Sequence, residues 1–80
     1  MKSKYPNQAD DLDKNYGVIY RYHINKWKDA KVSVAISRLE NGRYRTYVVI
    51  DTKIRPNYVV NKTLRAALSY AEGMIDDLIK

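Results

Sequence analysis

Apolar and polar positions first alternate regularly in residues 17–25 (GVIYRYHIN), with Val18, Tyr20, Tyr22 and Ile24 on one side and Ile19, Arg21 and His23 on the other. A period of two is the pattern of a half-buried strand. Residues 26–30 (KWKDA) turn the chain into a longer stretch, residues 31–51 (KVSVAISRLENGRYRTYVVID). There, two runs rich in β-branched and aromatic residues flank Asn41-Gly42, a pair that tolerates the positive φ of a tight hairpin turn. The pattern predicts a β-hairpin and, with residues 17–25, a three-stranded antiparallel meander. Residues 52–60 (TKIRPNYVV) read as a loop, because Pro56 cannot donate to a sheet and biases Arg55 away from helix. Tyr58-Val59-Val60 offers a short extra strand at most.

From residue 61 the period changes to three and four. Leu64, Ala67, Leu68, Ala71, Ile75 and Leu78 form one apolar helical stripe, capped by Asn61 or Thr63. Gly73 within it costs about 1 kcal/mol relative to Ala, and close approach of helix to sheet is the expected reason. Residues 1–15 hold Pro6, few apolar residues and mixed charge, and read as a flexible tail or a lightly docked arm. The expected fold is α+β: a three-stranded antiparallel β-meander packed on one C-terminal α-helix (βββα), forming a single domain over residues 16–80.

Two pairings fit the hairpin. A two-residue turn sets Glu40 against Arg43 and Arg38 against Arg45; Val32, Val34, Ile36, Tyr47 and Val49 then share one face, and Ala35, Leu39, Tyr44, Val48 and Ile50 the other. A three-residue loop with Gly42 in a bulge shifts the register by one. Val32, Val34 and Ile36 then join Val48 and Ile50, opposite Arg43, Arg45 and Tyr47. The turn residues favour the first pairing and the segregation of polar from apolar favours the second, so both stay open.

Composition narrows the class. A chain of 80 residues buries roughly 60–65% of its unfolded surface, and a core of that size rarely supplies more than about 3–5 kcal/mol without help. Without cysteine there is neither a disulfide nor a thiolate zinc site, which makes a homodimer or ordering on a partner a real option. No apolar run approaches the roughly 18 residues of a membrane span, and MKSKYPNQADD lacks the apolar centre of a signal peptide. A soluble cytoplasmic protein is expected.

Charge adds direction. Fifteen Lys and Arg face nine Asp and Glu, a net charge of +6. The whole excess lies in residues 16–60, where Arg21, Lys26, Lys28, Lys31, Arg38, Arg43, Arg45, Lys53 and Arg55 outnumber Asp29, Glu40 and Asp51. A basic sheet between neutral ends suggests a polyanionic partner; edge solubility is the plainer account. The helix runs against its own dipole, with Lys62 and Arg65 at its start and Asp76 and Asp77 near its end. That start, with its free N–H groups and the Thr63 hydroxyl, makes a phosphate seat.

No catalytic set can be assembled. His23 stands alone on a strand, and one imidazole makes no metal site. Asp11-x-Asp13-x-Asn15 begins like a calcium loop, but the glycine falls at the seventh position (Gly17) and Tyr22 takes the place of the terminal glutamate. Gly17, Gly42 and Gly73 are too far apart to cradle a phosphate, and none of the eight tyrosines has an activating base by motif. No enzyme, cofactor, metal or small-molecule substrate is expected.

Two functions remain. One is a small basic nucleic-acid-binding module, DNA before RNA, using the exposed sheet face and adjoining loops through Arg21, Lys28, Arg38, Arg43, Arg45, Tyr47, Lys53, Arg55, Lys62 and Arg65. In the tight register Arg38 and Arg45 stand opposite and repel, which a bound phosphate would relieve. Trp27, beside two lysines, reads as packing over the end of the core, with base stacking as its other use. Three antiparallel strands followed by a C-terminal helix resemble, in topology alone, the small arm-site DNA-binding domain of some tyrosine integrases, which implies a sheet laid in the major groove. The other function is a protein-binding module, such as a phage or mobile-element inhibitor or a homodimeric accessory protein. It rests on Tyr44, Val48 and Ile50, which the tight register leaves on a second apolar face, and on the dominance of tyrosine among the aromatics.

Overall fold

The computed structural model describes residues 4–8 and 17–80. Four strands, β1 (Val18–Ile24), β2 (Val32–Arg38), β3 (Tyr44–Ile50) and β4 (Lys53–Asn61), form one antiparallel sheet in sequence order, and the helix α1 (Leu64–Ile79) follows. The class is α+β as expected, but the sheet has four strands rather than three. Residues 52–60, expected to be a loop, are mostly β4. Pro56 is accommodated because β4 is an edge strand and its pairing with β3 is interrupted between Tyr47 and Val49, where the register shifts. Residues 55–57 lie in that bulge, so no ladder bond is asked of the proline.

The β2–β3 hairpin takes the bulged register. Arg38 pairs with Tyr44, Ser37 with Arg45, Ile36 with Thr46 and Val34 with Val48. The loop closes through Leu39 N–H to Arg43 O at 2.8 Å and Gly42 N–H to Leu39 O at 3.0 Å, with Gly42 at φ +82°. This is a three-residue turn with glycine in the left-handed position that a side chain disfavours. Asn41 Oδ1 accepts from Arg43 N–H at 3.0 Å and tightens it. Arg38 and Arg45 therefore do not face each other, and the repulsion expected from the tight turn is absent.

This register sorts the sheet. Tyr20, Ile24, Val32, Val34 and Ile36 join Ala67, Ala71 and Ile75 of α1 in the main core, and Tyr22, Tyr44, Val48, Ile50, Leu64, Leu68 and Leu78 pack around it. Tyr44, Val48 and Ile50 thus sit under the helix, not on a second uncovered face. The apolar stripe of α1 is as read, with the small Ala67 and Ala71 fully buried where helix meets sheet. Thr63 is the N-cap, its hydroxyl oxygen accepting from Ala66 N–H at 3.2 Å. Gly73, by contrast, is exposed and a Cβ there would meet nothing within 4 Å, so close approach to the sheet is not its reason.

Residues 4–8 run beside the outer edge of β1. Gln8 N–H donates to Arg21 O at 2.8 Å, the Asn7 side-chain amide bonds Ile19 O and Arg21 N, each at 3.1 Å, and Gln8 Oε1 accepts from His23 N–H at 2.7 Å. Two side-chain amides thereby satisfy an edge that would otherwise be open to pairing. Tyr5 packs on Tyr22 with ring centroids 4.9 Å apart, and its hydroxyl donates to Asp76. Most of the expected tail, with Asp11, Asp13 and Asn15, lies outside the described residues.

Candidate nucleic-acid interface

No described element covers the face of the sheet opposite α1. Its floor is the central strand β2, where Ser33, Ala35 and Ser37 are short and buried. Val18, Tyr47 and Val49 close around Ala35 as a second small cluster. Over this floor stand Arg21 and His23 from β1, Arg45 from β3, and Ile54, Tyr58 and Val60 from β4, placed by their pairing with open-face residues of neighbouring strands. Side chains are held from below: Arg21 Nε donates to Ser33 Oγ at 3.3 Å, and Ser37 Oγ and the Tyr47 hydroxyl share a hydrogen bond of 2.7 Å.

Arg45 is held by aromatic rings. Its guanidinium carbon lies 5.0 Å from the Tyr47 ring centre and 5.5 Å from that of Tyr58. Its Nε is buried with no hydrogen-bond partner. Leaving a buried donor unmade costs about 1–3 kcal/mol, while each cation–π contact returns about 0.5–2 kcal/mol; the two rings offset the loss. Tyr58 remains 55% exposed beside it, an aromatic surface open to solvent.

Charge is segregated by element. The four strands contain Arg21, Arg38, Arg45, Lys53 and Arg55 and no acid; α1 contains Glu72, Asp76 and Asp77 and the single base Arg65. Among the described residues the ion pair is Lys4 Nζ to Asp76 at 2.8 Å, on the helix side. Arg38, Arg43, Arg45 and Arg55 form no ion pair with a described acid.

The residues expected to form one basic surface divide. Arg21, Arg45 and Tyr47 belong to the open face, Arg43 stands at its hairpin end and Lys28 in the loop at its other end. Arg38 and Lys53 pair with Tyr44 and Ile50, on the helix side. Arg55 is exposed in the β4 bulge, and Lys62 and Arg65 are exposed at the start of α1. Sequence reasoning missed Tyr58, because its segment read as a loop, and Lys31. Trp27 is 42% exposed, with Lys26 Nζ 5.4 Å from its ring centre, rather than packed over the core.

Among the described residues no three His, Asp or Glu side chains are grouped to hold a metal ion, and no helix is long and apolar enough to cross a membrane. The fold is, among the described residues, a small α+β domain whose sheet is covered by α1 on one face and carries Arg21, His23 and Arg45 on the other. No protein-family model, curated protein or solved structure matches the chain.

Proposed function

We propose that this chain is a small nucleic-acid-binding module that lays its open sheet face on the ligand. The observation that carries the reading is Arg45, held against Tyr47 and Tyr58 on a sheet face that also carries Arg21 and to which the strands contribute no acid. Arginines placed this way position a protein on phosphates, and an exposed ring such as Tyr58 offers a stacking surface for bases. DNA is favoured over RNA because the major groove of B-form DNA admits a β-ribbon, whereas that of A-form RNA is too deep and narrow. The test compares faces by fluorescence anisotropy. Arg45→Ala and Tyr58→Ala weaken binding of a labelled DNA, and Arg65→Ala on the helix leaves it nearly unchanged; equal loss from both sides contradicts a sheet-face interface.

The second reading is a protein-binding module, which the exposed Ile54, Tyr58 and Val60 on edge strand β4 support. Lys53, Arg55, Pro56 and the bulge weigh against it, since charge, proline and bulges are what keep edges from pairing. A 9.4 kDa monomer by light scattering is expected; a dimer lost on Val60→Asp would favour this reading instead.

A further inference from the structure

Beyond the stacked arginine, a pocket of about 370 Å³ opens where the β1–β2 loop approaches the β3–β4 turn. Its volume is at the lower end of the roughly 300–1,000 Å³ typical of small-molecule sites. Arg21, His23, Lys28 and Lys31 line it, with Trp27 as its aromatic wall. Ser33 and Thr52 add hydroxyls.

None of the described lining residues is acidic. The nearest described carboxylates are at the rim: that of Asp51 accepts from the backbone N–H of the lining residue Lys31 at 3.0 Å, and Asp29 is exposed in the loop. Arginine and lysine only donate hydrogen bonds, and a tryptophan ring N–H does the same. Lys28 and Lys31 therefore bring two positive charges to the lining, beside the hydrogen-bond donors of Trp27, Asn25, Ser33 and Thr52, a set that suits an oxyanion. Arg21 is oriented by its bond to Ser33, so part of the set is fixed before any ligand arrives.

We infer that this pocket seats a phosphate group, supplied by a nucleic-acid strand lying on the open face. Four of the lining residues, Arg21, His23, Ser33 and Val49, also belong to that face, so a strand crossing Arg45 and Tyr58 continues into the cavity. The strand as source rests on the proposed function; the phosphate specificity does not. A free nucleoside monophosphate carries the same group, with Trp27 available to its base.

The experiment uses the full chain and four probes: inorganic phosphate, adenosine monophosphate, and a 12-nucleotide DNA with either a 5′-phosphate or a 5′-hydroxyl, labelled at its 3′ end. Phosphate and the mononucleotide are expected to shift the Trp27 indole and the Lys28 and Lys31 amide signals in NMR spectra. The doubly substituted Lys28→Ala, Lys31→Ala chain is expected to lose roughly tenfold in affinity for the DNA, as for loss of a charge-assisted hydrogen bond. Both lysines are exposed, and an unchanged circular dichroism spectrum confirms the fold. If only the 5′-phosphorylated strand is affected, the seat takes a terminal phosphate; if both strands are, it takes an internal one. If neither strand, nor the duplex formed with its complement, binds at low salt but phosphate still shifts Trp27, the pocket stands and the nucleic-acid reading falls. DNA binding that is indifferent to the double substitution, with no phosphate-induced shift at Trp27, overturns the seat and leaves the sheet-face reading intact.

Discussion

Thr52 is held at φ +71°, next to Asp51 at φ +51°, in the two-residue turn that joins β3 to β4. Both positions of such a turn need the left-handed region, which glycine, asparagine and aspartate accept and a β-branched residue resists. Asp51 is further fixed to Lys31, its N–H donating to Lys31 O at 2.9 Å and its carboxylate accepting from Lys31 N–H. Thr52 has no comparable anchor, so Thr52→Gly is expected to stabilise the fold by about 1 kcal/mol, the left-handed penalty removed. Gly73 offers the opposite substitution. Open space surrounds its missing Cβ, so Gly73→Ala should raise stability by about 0.5–1 kcal/mol, or the melting temperature by roughly 2–8 °C. Thermal unfolding of each variant checks both, and a fall in melting temperature would mean the turn or the helix surface is built differently. Gly17 is not interchangeable in this way: at φ +76°, a Cβ would lie 3.2 Å from Arg38 O, whose own N–H bonds Gly17 O at 2.8 Å.

At the scale of elements, the helix and the first three strands could be read from periodicity. β1, however, changes face at the irregularity between Val18 and Tyr20, so Val18 joins the small cluster around Ala35 and not, as its alternation suggested, the main core with Tyr20 and Ile24. The hairpin register could not be read. Asn41-Gly42 serves both a two-residue turn and a bulged three-residue loop, and only the burial of Val48 and Ile50 under α1 chooses between them. β4 was hidden because its apolar residues Ile54, Tyr58 and Val60 face an uncovered side and its alternation is broken at the bulge around Pro56. With β4 unread, the partner rings of Arg45 could not be assembled either. The docking of residues 4–8 carries its own prediction. The Lys4 ammonium and the Tyr5 hydroxyl hold the Asp76 carboxyl below its ordinary value of 3.8. Bonding to Asp76 in turn raises Lys4 above 10.5 and Tyr5 above 10.0. The lowered acid contributes above pH about 4 and loses its contribution as pH falls through the folded value; the raised Lys4 and Tyr5 contribute below about pH 10 and lose theirs as pH rises further. Hydrogen exchange of the Arg21 and His23 amides should therefore accelerate at both extremes relative to the β2 amides. Asp76→Asn should flatten the acid limb, and an unaltered acid limb would place the anchor elsewhere.

For the molecule as a whole, one helix carrying Glu72, Asp76 and Asp77 closes one side of a four-stranded sheet whose strands carry cations and no acid, while Asp29, Glu40 and Asp51 lie in the loops at its ends. The proposed function requires that the face opposite α1 meet a polyanion through charge. About four phosphate contacts, from Arg21, Arg43, Arg45 and the Lys28–Lys31 loop, imply a slope of log affinity against log salt near −3.6 for duplex DNA. That is a loss of roughly 150-fold between 50 and 200 mM salt. Anisotropy of a labelled random duplex across that range is the most direct test. The expected result is this steep fall, with Arg45→Ala reducing the slope by about 1. Absence of binding at 50 mM salt, or binding indifferent to salt, would contradict it.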